Sequence, residues 1–478
     1  MAKKRVIHKG EILFLMALAQ FMVVLDISIV NVALPSIKTA LNFSSDNLQW
    51  VVTAYTLAFG GFLLFGGRAA DLFGRKKLFL GGVLAFTIAS LLAGLSHSEN
   101  ILIFCRALQG LSAAFMSPAA LSIVINTFKE GKERNRALGV WGGVAAGGAA
   151  AGLLFGGVLT EYLGWEWNFF VNVPVGLAVA FFANRALVES KGDLEHTHLD
   201  LPGAVLVTTG LMSLVYGLVK APTYGWTSNK SLMFFGAAAI LLISFVFNEL
   251  RSKQPLVPFS IFKLRNLRGA NIMQFPITAS MFAMFFFLTL YVQGIMQFSP
   301  VKTGFAMLPV TVVIGIFSGI VSNLISKIGY KPPMVVGPLF LAAGLLVFSN
   351  LEVGSTYWAN VFPGLMLMAA GLGQMFVSIT IAATSGVPKH QAGLASGILN
   401  TSQQVGGSLG LAILTGVYAS HITSSLASGH DPATAQVAGS HEAFLVASWF
   451  AIAASILAFV LIKHVKGEPA SSEAVHMG

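Results

Sequence analysis

The chain has 478 residues, 55% of them hydrophobic and only 10% charged, with a mean hydropathy of +0.77. Soluble domains carry about 25% charged residues, so charges this sparse cannot cover a soluble protein of this length. The composition gives an all-α polytopic membrane protein, and the net charge of +10 has to be read by where the charges fall.

Apolar runs of about 20 residues mark membrane helices. Fourteen are present, at roughly 11–35, 48–66, 78–96, 100–125, 137–160, 167–188, 201–220, 231–250, 269–296, 303–327, 333–351, 356–386, 392–420 and 443–465. The first run follows KKRVIHK and has no small-residue cleavage site, so it reads as a retained span and not a signal peptide. It holds Asp26, well inside an apolar helix, where a carboxylate costs roughly 2.5–3.5 kcal/mol on insertion scales. Between the second and third runs stands GGRAADLFGRKK (66–77), with five charged residues between two apolar stretches. The fourth run holds a second intramembrane charge, Arg106, next to the single cysteine Cys105, which excludes an intramolecular disulfide. The fifth carries closely spaced Gly148, Gly152, Gly156 and Gly157, suited to close helix approach. The longest polar stretches are 189–200, containing His196 and His198, and 421–442. Both read as solvated loops, and the tail 466–478 reads as disordered.

Of the 29 Lys and Arg, 24 fall on the side of the N-terminus. Lys38, Lys220, Lys230 and Lys302 fall on the other, and Arg106 lies within a span. The positive-inside rule then places both termini in the cytoplasm. Basicity here is topology and implies no nucleic-acid partner.

The chain also echoes itself. AADLFGRKKLFLGG (69–82) aligns with LISKIGYKPPMVVG (324–337), pairing Gly74 with Gly329 and Lys76 with Lys331. Weak internal symmetry of this kind marks transporters built from two helical halves around a midplane site. The expected organisation is a six-helix bundle over 1–188, two additional spans with cytoplasmic linkers over 189–268, a second six-helix bundle over 269–465 and the tail.

These segments resemble the major facilitator superfamily. GRAADLFGRKK is similar to the family's cytoplasmic signature between spans 2 and 3, with Gly67, Asp71, Gly74, Arg75 and Lys76 in its fixed places and Ala69 and Leu72 departing from it. RALQGLSAA (106–114) resembles the span-4 signature. LDISIVNVALP (25–35), NFFVNVPVG (168–176), YVQGIMQFSPVKTG (291–304) and GLASGILNTSQQVGGSLG (393–410) are similar to the fourteen-span drug:proton antiporters, the branch of multidrug exporters. One departure stands in span 5, where GGAAAGLLFGG has Leu153 in place of the usual proline.

The resemblance implies proton-coupled export of hydrophobic or amphiphilic drugs, neutral or monocationic, by alternating access in a bacterial cytoplasmic membrane. Asp26 and Arg106 are expected to carry proton coupling, because a carboxylate withdrawn from water is costly to keep charged. Gly67, Asp71, Gly74, Arg75 and Lys76 are expected to form a hinge and conformational latch. Gly148, Gly152, Gly156 and Gly157 would form the antiporter helix. Asn31, Gln109, Asn271, Gln274, Gln403 and Gln404 are cavity-lining candidates. No cofactor or metal is expected, with the proton gradient as energy source. The partners are small substrates, protons and the bilayer, and the protein is expected to be monomeric. The rival within transport is a dedicated carrier of one metabolite or lipid. No Walker-type loop, nucleophile–His–acid grouping or zinc motif is present, which argues against ATP coupling and against an enzyme.

Overall fold

The computed structural model describes residues 9–44, 47–128, 132–190, 200–253, 255–387 and 392–463. These residues are helical almost throughout, as they must be where hydrocarbon leaves every backbone N–H and C=O to be satisfied within its own segment. His196, His198 and the tail 466–478 lie outside them.

The helices run α1 (Lys9–Ala40), α2 (Trp50–Phe73), α3 (Arg75–Gly94), α4 (Glu99–Thr127), α5 (Lys132–Tyr162), the short α6 (Trp167–Phe170) and α7 (Asn172–Ala186). Then come α8 (Leu201–Tyr224), α9 (Asn229–Arg251), α10 (Arg265–Gly294), α11 (Pro300–Ile328), α12 (Lys331–Ser349), α13 (Phe362–Thr384), α14 (Ala392–Ala427) and α15 (Pro432–Leu461). Among the described residues, thirteen helical segments are long and apolar enough to cross a membrane, α6 and α7 counting as one. The fourteenth expected span is α5, a helix of 31 residues with no charged side chain from Ala137 to Thr160.

One expectation needs correcting. The polar stretch 421–442 is not a loop: α14 continues to Ala427 and α15 begins at Pro432. HITSSLA has no helix breaker, and the Asp431 carboxylate caps the next helix by accepting from Ala433 N at 2.9 Å and Thr434 N at 3.1 Å. Polarity there reports water at the helix ends and not loss of helix.

The chain divides into two compact units, one of residues 1–258 with 288–308, the other of 259–287 with 309–478. In the first, α2 packs on α4, α1 on α5, α3 on α4 and α8 on both α9 and α2. In the second, α12 packs on α13 and α15, and α14 on α15. Among the described residues, each unit contains an abrupt helix reversal at a glycine of the internal echo. Gly74, with φ +114°, is the one residue between α2 and α3, and Gly329, with φ +75°, separates α11 from α12. L-residues with a Cβ rarely adopt such angles, so the internal echo has a geometric counterpart at these two aligned glycines.

Candidate functional site

Asp26 lies on α1 and Arg106 on α4, and both are buried, at 0% and 1% exposure. Arg106 Nη1 donates to Asp26 Oδ2 at 2.5 Å and to Gln109 Oε1 at 2.9 Å, while Arg106 Nε donates to the backbone O of Val51 on α2 at 2.8 Å. The second carboxylate oxygen, Asp26 Oδ1, accepts from Gln109 Nε2 at 3.0 Å and from Asn172 Nδ2 at 2.9 Å. Gln109 and Asn172 each also donate to Ser90 Oγ at 3.1 Å, and Ser90 donates to Phe169 O at 2.8 Å. The Tyr55 ring lies under the guanidinium, its centroid 4.5 Å from Arg106 Cζ, a cation–π position of the kind that strengthens when water is excluded. The Tyr55 hydroxyl is buried and has no hydrogen-bond partner among the described residues.

Six helical segments of the first unit, α1 to α4 with α6 and α7, therefore converge on one carboxylate. Sequence reasoning found Asp26, Arg106 and Gln109 and missed Ser90, Tyr55 and Asn172. Asn172 carries a signal in hindsight: it is a second Asn within the quoted segment NFFVNVPVG, at the start of α7. With both oxygens of Asp26 engaged, the ion pair is compensated in place. Three donors thus take three of the roughly four acceptor sites of the carboxylate.

Three of the four α5 glycines explain how α1 is held. A Cβ on Gly148 would meet Phe21 O at 3.3 Å, one on Gly152 would meet Ser28 Cβ at 2.6 Å, and one on Gly156 would meet Ile29 O at 2.6 Å. These contacts flank Asp26 on both sides along α1. Gly157 lies instead against Pro300 O, 2.6 Å from where its Cβ would stand. The helix runs unbroken through Leu153.

At the α2–α3 reversal, Arg75 donates from Nε to Asp71 Oδ1 at 3.0 Å and pairs with the same oxygen through Nη2 at 2.9 Å. Lys76 Nζ donates to Asn184 O at 2.7 Å. The α3 N-terminus is capped from outside the motif: Glu189 Oε1 accepts from Lys76 N at 3.0 Å and Oε2 from Lys77 N at 3.1 Å, the favourable place for a carboxylate against a helix dipole. A Cβ on Gly74 would meet the Glu189 carboxyl at 2.6 Å. Gly67, by contrast, lies inside α2 and not at a turn, and a Cβ there would make an ordinary contact with Pro118 at 3.5 Å. Of the two motif glycines expected in the hinge, Gly74 supplies the turn and Gly67 lies within the helix that leads to it.

The remaining candidates are dispersed. Asn31 donates to Ile27 O on its own helix at 3.0 Å. In the second unit Asn271 donates to Leu267 O at 2.9 Å and accepts from Ser402 Oγ at 2.8 Å. The Oε1 atoms of Gln274 and Gln404 are buried with no donor among the described residues, and Gln403 is half-buried.

A family model described as Major Facilitator Superfamily matches residues 16–411. The chain is 39% identical over 446 residues to the puromycin resistance protein pur8 of Streptomyces alboniger, covering 93% of this chain and 88% of that one. It is 37% identical over 462 residues to the cephamycin export protein CmcT of Amycolatopsis lactamdurans, covering 96% and 93%. Among solved structures it is similar to a D-xylose–proton symporter, with TM-score 0.65 at 12% identity over 96% of this chain and 99% of that one. At that identity the likeness is one of fold.

Proposed function

This chain belongs to the Major Facilitator Superfamily, as a multi-pass membrane transporter and not an enzyme, and we propose that it exports hydrophobic or amphiphilic drugs in exchange for protons. The substrates are neutral or monocationic, the membrane is the bacterial cytoplasmic membrane, and both termini face the cytoplasm. No cofactor enters; the proton gradient supplies the energy to a protein acting as a monomer.

One observation carries this reading: the buried Asp26 carboxylate, held by Arg106, Gln109 and Asn172. Proton arrival at Asp26 weakens its hold on Arg106, which keeps only Tyr55, Gln109 and the Val51 carbonyl as partners and is then free to shift. The α5 ridge that grips α1 on either side of Asp26 passes this local change to a whole helix. Alternating access then follows from a two-state packing that protonation and substrate bias in opposite directions. The relatives named for puromycin and cephamycin support drug efflux. Because each of those names gives one compound, they also favour a second reading, a dedicated exporter of a single molecule.

The test is a susceptibility panel in an exporter-deficient host, with and without a protonophore. Protection against several unrelated amphiphiles that vanishes with the protonophore is the expected result. Protection against one compound only selects the second reading, and protection indifferent to the protonophore removes proton coupling.

A further inference from the structure

Helix α9 turns most of its length away from the protein and buries three residues, Ser231, Ala238 and Glu249. That one of the three is an acid needs a reason. Glu249 is 4% exposed, and beside it Asp200, the N-cap of α8, is 6% exposed. The two carboxyl groups converge over the first turn of α8. A Cβ on Gly203 would meet Asp200 Oδ2 at 2.8 Å and Glu249 Oε1 at 2.9 Å, so only a glycine leaves room for both.

The hydrogen bonds around the pair are complete except at one atom. Asp200 accepts from Gly203 N at 2.9 Å and from Asn248 Nδ2 at 2.7 and 2.8 Å. Glu249 Oε2 accepts from Val257 N at 2.9 Å. Glu249 Oε1 is buried and has no hydrogen-bond partner among the described residues, and the Glu249 carboxyl lies beside both the Asp200 side chain and the Leu256 backbone N–H. Next to the pair in the chain, Ala204 and Leu256 belong to a buried apolar cluster with Phe65 and Ala69. The charged group that faces the acids from α2 is Arg68, whose Nη1 donates to Pro255 O at 3.0 Å; Arg251 and Lys253 are exposed. Two full negative charges against one guanidinium would leave net charge in an apolar setting and two oxygens repelling.

We infer that Asp200 and Glu249 hold one proton between them, borne on Glu249 Oε1 and donated to Asp200, and that this proton fastens the α8–α9 hairpin to the motif-bearing end of α2. One proton satisfies the orphan oxygen and leaves a single carboxylate to balance Arg68. This second protonation site is separate from the one at Asp26 and is read out without any transport measurement.

The full-length protein, purified in detergent, is examined by infrared difference spectroscopy between neutral and alkaline pH, in water and in deuterium oxide. The expected signal is a carbonyl band of a protonated carboxylic acid at neutral pH, shifted by deuteration and lost on alkalinisation. It should be present in Asp26→Asn, which removes any contribution from Asp26, and absent when Glu249→Gln is added to that variant; Asp200→Asn, which leaves Glu249 alone to balance Arg68, should abolish it equally and serves if Glu249→Gln does not fold. Stability gives an independent readout. A folded state that holds a proton the unfolded chain releases loses stability as pH rises past the point where the proton leaves. The unfolding midpoint of the unmodified protein should therefore fall on alkalinisation. In Glu249→Gln, whose amide donates to Asp200 permanently, this fall should flatten. No titrating carboxylic acid band in Asp26→Asn, or a band that survives when Glu249→Gln is added to Asp26→Asn, overturns the assignment.

Discussion

Arg106 Nη1 sits 2.5 Å from Asp26 Oδ2, joining two residues 80 positions apart in the chain, and neither side chain reaches solvent. Breaking a buried pair by removing one partner costs about 3–5 kcal/mol, because the other charge is left uncompensated. Arg106→Ala should therefore destabilise the protein by about that amount, while Asp26→Asn, which keeps an acceptor for Arg106, should cost less. Thermal unfolding of the purified variants checks the order, and equal losses would mean that charge compensation is not what holds the cluster.

Asn172 donates to the carboxylate oxygen that Arg106 does not touch. Asn172→Ala removes a buried donor, at a cost of about 1–3 kcal/mol. The transport rate should fall and its pH profile should move, since the groups competing with a proton at Asp26 have changed. A pH profile identical to that of the unmodified protein would reduce Asn172 to packing.

The α5 ridge predicts a contrast within one helix. Gly156 faces Ile29 O at 2.6 Å from its would-be Cβ, whereas Gly143 has nothing within 4 Å. Gly156→Val should lose about 1–3 kcal/mol to overpacking along with most of the transport, and Gly143→Ala should be neutral. Growth assays at matched expression distinguish them; equal tolerance would detach the ridge from α1.

At the α2–α3 reversal, Gly74→Ala meets both a positive φ and the Glu189 carboxyl, and should abolish transport. Gly67→Ala, with an ordinary contact to Pro118, should be tolerated. Asp71→Asn should slow transport while leaving membrane insertion intact, because its partner Arg75 is a neighbour in the same motif and the pair acts on switching. Full transport by Asp71→Asn would leave the motif as a topology signal only.

The helices and the ion pair were legible because hydrocarbon punishes their alternatives. Apolar runs have one way to satisfy a backbone, and Asp26 and Arg106 stand out as charges where charges are costly. Ser90 and Asn172 did not stand out, since uncharged polar residues are common in membrane helices as interhelical hydrogen-bond partners. Glu189 and Asp200 sit in or beside a stretch that reads as a polar loop, and Glu249 lies at the end of a span. Only the fold brings Glu189 onto the α3 N-terminus and buries Asp200 with Glu249. The helical course of 421–442 was hidden for a related reason, because hydropathy measures the surroundings of a helix and not its existence.

Under the proposed exchange mechanism, Asp26 ties proton movement to substrate movement. The direct measurement is uptake of a monocationic amphiphile into proteoliposomes under an imposed pH gradient, comparing the unmodified protein with Asp26→Asn. The unmodified protein should accumulate the monocation above its equilibrium level, and Asp26→Asn should only equilibrate it. Uphill accumulation that survives in Asp26→Asn would contradict the account.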